Sequence, residues 1–197
     1  MNPAQGRTRE IHAQFRQLTE LAQAVSEEMA SDVEALVERV LGTFASGGKL
    51  LFAGNGGSAA DAQHLAAEYV VRFSRARRPL PAIALTTDSS VLTAESNDNG
   101  FETVFSRHVH ALGRPGDLLI LHSTSGESEN LIRAAVAARD LGMVSVAFLA
   151  RGGGRLKDEV DQALLVPTDV TARAQELHII IGHVVCDLVE KTIEAEG

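Results

Sequence analysis

His64 and Glu68 stand four residues apart, directly behind the small-residue run GNGGSAADAQ (54–63). On a helix that spacing puts both side chains on one face. An imidazole beside a carboxylate can ligate a metal ion or serve as an acid/base pair. Taken singly, each is an ordinary surface or capping residue. A second group lies near the end of the chain: Gln175, Glu176, His178 and His183 in QELHIIIGH. Two histidines there sit among isoleucines, where an unpaired imidazole is unfavourable to bury, so one of them can be a core histidine with a partner. Gln175 and His183 are eight residues apart, about 12 Å along a straight helix. The ligands of one small ion sit only a few ångströms from each other. Either the helix begins after Gln175, or two subunits share a site. The other histidines, His12, His108, His110 and His122, have no comparable arrangement and read as structural.

The third group is STSGESEN (123–130), ahead of the helical pattern LIRAAVAARD. Ser123, Thr124, Ser125 and Ser128 crowd hydroxyls where capping needs only one. The excess suits a phosphate, held by hydroxyls, backbone N–H groups and the helix dipole without a lysine. The glycine run fits several readings. Gly54, Gly56 and Ala59 satisfy the G-x-G-x-x-A of a dinucleotide-binding turn. That motif also needs an acidic ribose partner about 20 residues on, and here the next apolar strand ends at Thr86, Thr87 and Asp88, about ten residues too late. No G-K-[ST] follows, which argues against a nucleoside-triphosphate loop. A glycine turn needed only for close backbone packing also fits. Asn97 and Asp98, in ESNDNGF, form a third polar turn that can line the same crevice or be a turn and nothing more.

These groups have to be held by a scaffold, and the order of patterns specifies one. Apolar residues recur at helical spacing from Ile11 through Phe15, Leu18, Leu21 and Val25. Ser31 and Glu34 read as a capping box opening a second helix to about Phe44, ended by Gly47 and Gly48. Then short apolar runs alternate with amphipathic segments. The runs are KLLFA, AIALT, DLLILH, VSVAFLA and QALLVP, non-alternating as expected of strands covered on both faces. Helical patterns fall at 57–73, 101–112, 127–141, briefly at 154–159, and at 171–194. This order predicts an α/β, doubly wound, five-stranded parallel sheet with an N-terminal helical pair. The chain reads as one domain over 1–197, the pair in 1–46 and the α/β core in 47–197. Residues 71–81 (VRFSRARRPLP) read as a flexible loop with solvated arginines.

Twenty-six acidic against eighteen basic side chains give a net charge of −8, which disfavours nucleic acid as a partner. No apolar run reaches the length of a membrane span and the N-terminus has no signal-like apolar stretch, so no membrane partner is expected. The single cysteine, Cys186, falls in an apolar helical pattern and reads as a buried thiol in a reducing cytoplasm.

In their order along the chain, GNGGSAADAQH, AIALTTDSSVLTAESNDNGFETVFSR, STSGESEN and QELHIIIGH resemble the SIS (sugar isomerase) family, and within it the phosphoheptose isomerases. The likeness covers nearly the whole chain. STSG alone is common to many sugar-phosphate binders; together with H-x-x-x-E and Q-E-x-H-x-x-x-x-H it is far more specific. The resemblance implies substrate contacts at Asn55, Gly56, Gly57, Asn97, Asp98, Ser123, Thr124, Ser125, Ser128 and Gln175. It implies one Zn²⁺ per subunit at His64, Glu68, Gln175 and His183, with Glu68 and His183 as proton carriers. It implies a cytoplasmic homotetramer with active sites at subunit interfaces. The implied reaction is isomerisation of sedoheptulose 7-phosphate to glycero-manno-heptose 7-phosphate through an enediol, supplying heptose for bacterial surface polysaccharide. One departure is that TARA, before Gln175, lacks the acidic residue some relatives carry two or three positions earlier. Two readings from other classes stand beside this one: an SIS-type protein that binds the replication initiator without catalysis, and a dinucleotide-dependent oxidoreductase.

Overall fold

The five apolar runs form five strands: β1 (Leu50–Gly54), β2 (Ala82–Ala84), β3 (Leu118–Ser123), β4 (Val144–Leu149) and β5 (Gln162–Leu165). They lie in the order β2-β1-β3-β4-β5 and every pairing is parallel. The coordinates are a computed structural model that describes residues 3–196; Met1, Asn2 and Gly197, at the ends of the expected domain, lie outside the described residues. Strand side chains alternate between faces; both faces of the central strands β1, β3 and β4 are buried, whereas the edge strands β2 and β5 are only partly covered, with Ile83 and Leu165 exposed. Leu50, Phe52, Leu118, Ile120, Val146 and Phe148 face one core, shared with α2 (Ala30–Ala45), α3 (Gly57–Val70) and α7 (Thr171–Glu196). Leu51, Ala53, Leu119, Leu121, Ala147 and Leu149 face the other, shared with α5 (Val104–Leu112) and α6 (Glu129–Asp140). This double burial produces the unbroken apolar runs and the three layers, as the doubly wound reading expects. Among the described residues no helix is long and apolar enough to cross a membrane.

Three local expectations are corrected. In the N-terminal pair, α1 (Pro3–Glu28) is followed by α2 after a single non-helical residue, Met29 (φ −116°, ψ 5°). Met29 donates its N–H to the Val25 carbonyl, and its own carbonyl accepts from Val33. Met29 is thus the N-cap of α2 and Ser31 already lies inside its first turn, so the capping box does not form. Ahead of the expected 101–112 segment lies a helix the pattern did not reveal, α4 (Ser89–Asn99), which has no buried residue. Asp88 starts it by accepting from the N–H of Val91 at 3.0 Å. Asn97 and Asp98 thus stand in the last helical turn and not in a loop. The short 154–159 pattern is a pair of 3₁₀ turns, 151–153 and 155–158.

Behind the strand ends lies an unusual polar group within the core. His122 is fully buried on β3, stacked on Phe148 (4.6 Å) and Phe52 (6.4 Å), with the ring of His178 at 6.1 Å. Neither ring nitrogen of His122 has a hydrogen-bond partner among the described residues. Burial, with His178 adding to it, pushes the His122 pKa down to about 3. Burial also lowers His178 to about 4, partly offset by its hydrogen bond with the Leu149 carbonyl. Both rings stay neutral in the fold while the unfolded chain takes up protons near pH 6.5. Their contribution to stability is complete above pH 6.5 and is lost as pH falls towards 4 and then 3. Each steepens the loss by about 1.4 kcal/mol per pH unit. His122→Leu should therefore flatten the stability curve between pH 6.5 and 5, measured by denaturant unfolding at each pH. An unchanged slope would remove His122 as a cause of acid sensitivity.

Candidate active site

The chain passes from β1 to β2 on one side and returns to β3 on the other, so β1 and β3 part at their carboxyl ends. In open α/β sheets such a switch point is where a ligand crevice forms. Both polar loops open there. After β1, Asn55 and Gly56 (φ +56°) turn the chain into α3. After β3, residues 124–128 lead into α6.

The serine loop is built for more than starting a helix. Ser128 occupies the N-cap of α6, yet its hydroxyl makes no capping bond. Ser123 Oγ accepts from the Gly126 N–H at 3.0 Å and Ser125 Oγ from the Glu127 N–H at 3.2 Å, which leaves both O–H groups available to donate. Gly126 has φ +67°, and a Cβ there would lie 1.8 Å from the Gly153 carbonyl oxygen. The loop after β4 therefore backs the serine loop at van der Waals distance. Arg155 reaches Glu127 and Glu129 at 3.0 Å each, neutralising two carboxylates beside a loop read as an anion site. The glycine loop is tied across the crevice by a reciprocal amide pair: Asn55 donates to Asn130 at 2.9 Å and Asn130 donates back at 3.0 Å. Asn130 is buried and was not singled out from the sequence; its one signal is an amide in the apolar first turn of α6.

His64, Glu68 and His183 come together. The Nε2 atoms of His64 and His183 are 2.8 Å apart, and Glu68 Oε1 is 3.3 Å from His64 Nε2. One donor atom from each of the three lies within 4.8 Å of the others. Two imidazoles and a carboxylate are a donor set that zinc accepts. Burial and the neighbouring His64 lower the His183 pKa, opposed by Glu68. His178 is instead the core histidine, fully buried on the Leu149 carbonyl.

Gln175 is not part of this trio in a single chain. Helix α7 begins at Thr171 and continues unbroken past His183, so the possibility that it starts after Gln175 is excluded. α3 and α7 run side by side in the same direction. Gln175 lies over the glycine loop, where a Cβ on Gly57 would meet its Nε2 at 2.4 Å, and His183 meets His64 two turns further on. The remaining site expectations are more loosely placed. Asn97 and Asp98 are exposed and bond to each other at 2.8 Å. His108 and His110 bond to carbonyls one turn back in their own helix, as structural residues. Cys186 is buried, and burial pushes its thiol up to about 12. The dinucleotide reading loses its acidic partner, because Asp88 is engaged as a helix cap.

Comparison with known proteins identifies the family of the chain. The SIS domain profile matches residues 14–150. The chain is 53% identical over 195 residues to a phosphoheptose isomerase of Roseiflexus sp. (strain RS-1), covering 99% of each chain. The solved phosphoheptose isomerase of Neisseria gonorrhoeae is 41% identical with a TM-score of 0.88, over 93% of this chain and 98% of that one. For the enzyme from Francisella tularensis the values are 34%, 0.91, 94% and 98%. The chain belongs to the SIS domain family and, within it, to the phosphoheptose isomerases.

Proposed function

We propose that this crevice isomerises D-sedoheptulose 7-phosphate to D-glycero-D-manno-heptose 7-phosphate, supplying heptose for bacterial surface polysaccharide. The observation that carries the reading is the meeting of His64, Glu68 and His183, two of them on the helix that starts at the glycine loop, beside a serine loop with uncommitted hydroxyls. The phosphate is held by Ser123, Thr124, Ser125 and Ser128 with the first N–H groups of α6. Asn55, Gly56, Gly57 and Gln175 contact the sugar, with Asn97 and Asp98 at its rim. An aldose–ketose isomerase must take a proton from C1, return one to C2, and stabilise charge on the intervening oxygens. Glu68 and His183 carry the proton; burial and the neighbouring His64 lower the His183 pKa, which favours the neutral imidazole. His64, Glu68 and His183 would hold Zn²⁺, joined by Gln175 of a second subunit. Zinc would supply Lewis-acid polarisation of the sugar carbonyl. The direct test incubates the pure protein with sedoheptulose 7-phosphate before and after chelation. Activity lost to chelator and restored by Zn²⁺ supports the reading, and unaltered activity in metal-free protein counts against the metal.

The homotetramer belongs to the same proposal. Ile11 and Phe15 on α1 are 56% and 69% exposed. Ile180, Val184 and Leu188 form an exposed stripe on α7 beside a groove of about 380 Å³ that Ala22, Val25 and Val33 also line. Such apolar faces need cover. A neighbouring subunit supplies it and brings a Gln175 to the metal end of this chain's crevice. Sizing should show an oligomer, and mixing inactive Glu68→Gln subunits with inactive Gln175→Ala subunits should restore activity through hybrid sites. A mixture no more active than its parts would place the whole site within one chain.

A further inference from the structure

The loop 71–81 is only partly the solvated turn its arginines suggest. Arg72 and Arg78 are exposed, but the Arg77 side chain is 3% exposed and lies against Glu190, which is 1% exposed. Neither residue belongs to the proposed chemistry. The Arg77 guanidinium forks over the end of α3: Nη2 donates to the carbonyl of Glu68 at 2.7 Å and Nη1 to that of Tyr69 at 2.8 Å. These are last-turn carbonyls, which a helix leaves without partners of its own. Arg77 Nε lies 2.9 Å from Glu190 Oε1, close enough for an ion pair though off the hydrogen-bond line.

Glu190 sits on α7 seven residues after His183, two turns on and on the same face. Its carboxylate accepts three successive backbone N–H groups, from Phe73 at 2.6 Å, Ser74 at 2.8 Å and Arg75 at 2.9 Å. Burial opposes its charge, but these donors and Arg77 hold the carboxyl below its ordinary value. The gripped loop places the Phe73 ring 5.2 Å from the His183 ring. The contacts thus close a circuit: Glu68 backbone, Arg77, Glu190, Phe73, His183.

We propose that Arg77 and Glu190 are positioning residues that fix the end of α3 against α7, and so the spacing of Glu68 and His183. A buried charge pair is a poor source of stability compared with apolar packing, whereas its directional bonds specify one geometry. The proposal rests on the reading of Glu68 and His183 as proton carriers and metal ligands.

The test uses the zinc-loaded oligomer of Glu190→Gln and of Arg77→Lys, with Glu68→Gln alongside. In both positioning variants kcat should fall at least tenfold, while KM for sedoheptulose 7-phosphate stays within twofold because the serine loop is untouched. Zinc affinity, measured by competition with a chelator, should fall about 10- to 100-fold, as for other groups that orient ligands. Lower thermal stability with kcat and zinc affinity unchanged would mark a purely structural pair and overturn the proposal. Should Glu190→Gln not fold, Arg77→Lys decides by the same readings, since lysine keeps the charge but cannot fork across two carbonyls. If Glu68→Gln itself keeps full activity, the reading of the proton carriers fails, and the zinc measurement still decides the positioning role.

Discussion

Glu68→Gln should lower kcat by about 10²–10⁴, the usual contribution of a positioned general base. The substitution is nearly isosteric, and Glu68 is partly exposed, so the fold should be unaffected. What changes is the chemistry at one point. A neutral amide accepts no proton from C1, and beside His64 and His183 it is a weaker metal ligand than a carboxylate. Zinc content should fall together with kcat, and His183→Ala should show the same two losses. Binding of inorganic phosphate, measured by calorimetry, should stay within twofold of wild type, because the serine loop lies on a different strand end. Full isomerase activity in Glu68→Gln would make the carboxylate a bystander.

Gly126→Ala should give the opposite pattern. Gly126 is held at φ +67°, which costs an alanine about 1–2 kcal/mol. The larger effect is steric, since the new Cβ would lie 1.8 Å from the Gly153 carbonyl oxygen and one of the two loops must move. Gly126 also donates its N–H to Ser123 Oγ, and its carbonyl accepts from the N–H of Leu156. Displacing it disperses the hydroxyls and N–H groups that meet the phosphate. Two charge-assisted bonds at about 1.5–3 kcal/mol each amount to about a hundredfold or more in affinity. Phosphate binding and KM should suffer by that factor while zinc content stays at the wild-type level. Wild-type phosphate affinity in Gly126→Ala would show that the anion binds elsewhere.

Legibility of the fold followed burial. β1, β3 and β4 are covered on both faces, so their apolar runs were unbroken and unambiguous. Helices with a wide buried face, such as α6, were equally plain. α4 has no fully buried residue and sets only a partly buried Leu92 against the core, so hydrophobic periodicity could not reveal it, although Asp88 ahead of Ser89 was a usable start signal. Ser31 and Glu34 misled because α2 starts at Ala30 from Met29, which places Ser31 within the first turn and not at its cap.

The site divides the same way. His64 and Glu68 were visible as a pair because their geometry is local to one helix. That His183 joins them, and Gln175 does not within one chain, depends on α3 and α7 packing in parallel, which spacing along either helix cannot show. Arg77 resembled its exposed neighbours in sequence. Its burial is created by Glu190, far along the chain, and so appears only once the two helices are packed. Asn130 was hidden for the same reason, its partner Asn55 lying on the other side of the crevice.

The central claim is that this crevice moves a proton between C1 and C2 of a heptulose phosphate. Following sedoheptulose 7-phosphate with the zinc-loaded wild-type protein in D₂O by NMR tests it most directly. The account predicts an aldose, heptose 7-phosphate, that carries solvent deuterium at C2, because the carbon-bound proton passes through an exchangeable side chain. Failure to form the aldose would contradict the proposed activity, and an aldose formed with no deuterium at C2 would contradict proton transfer through Glu68 and His183.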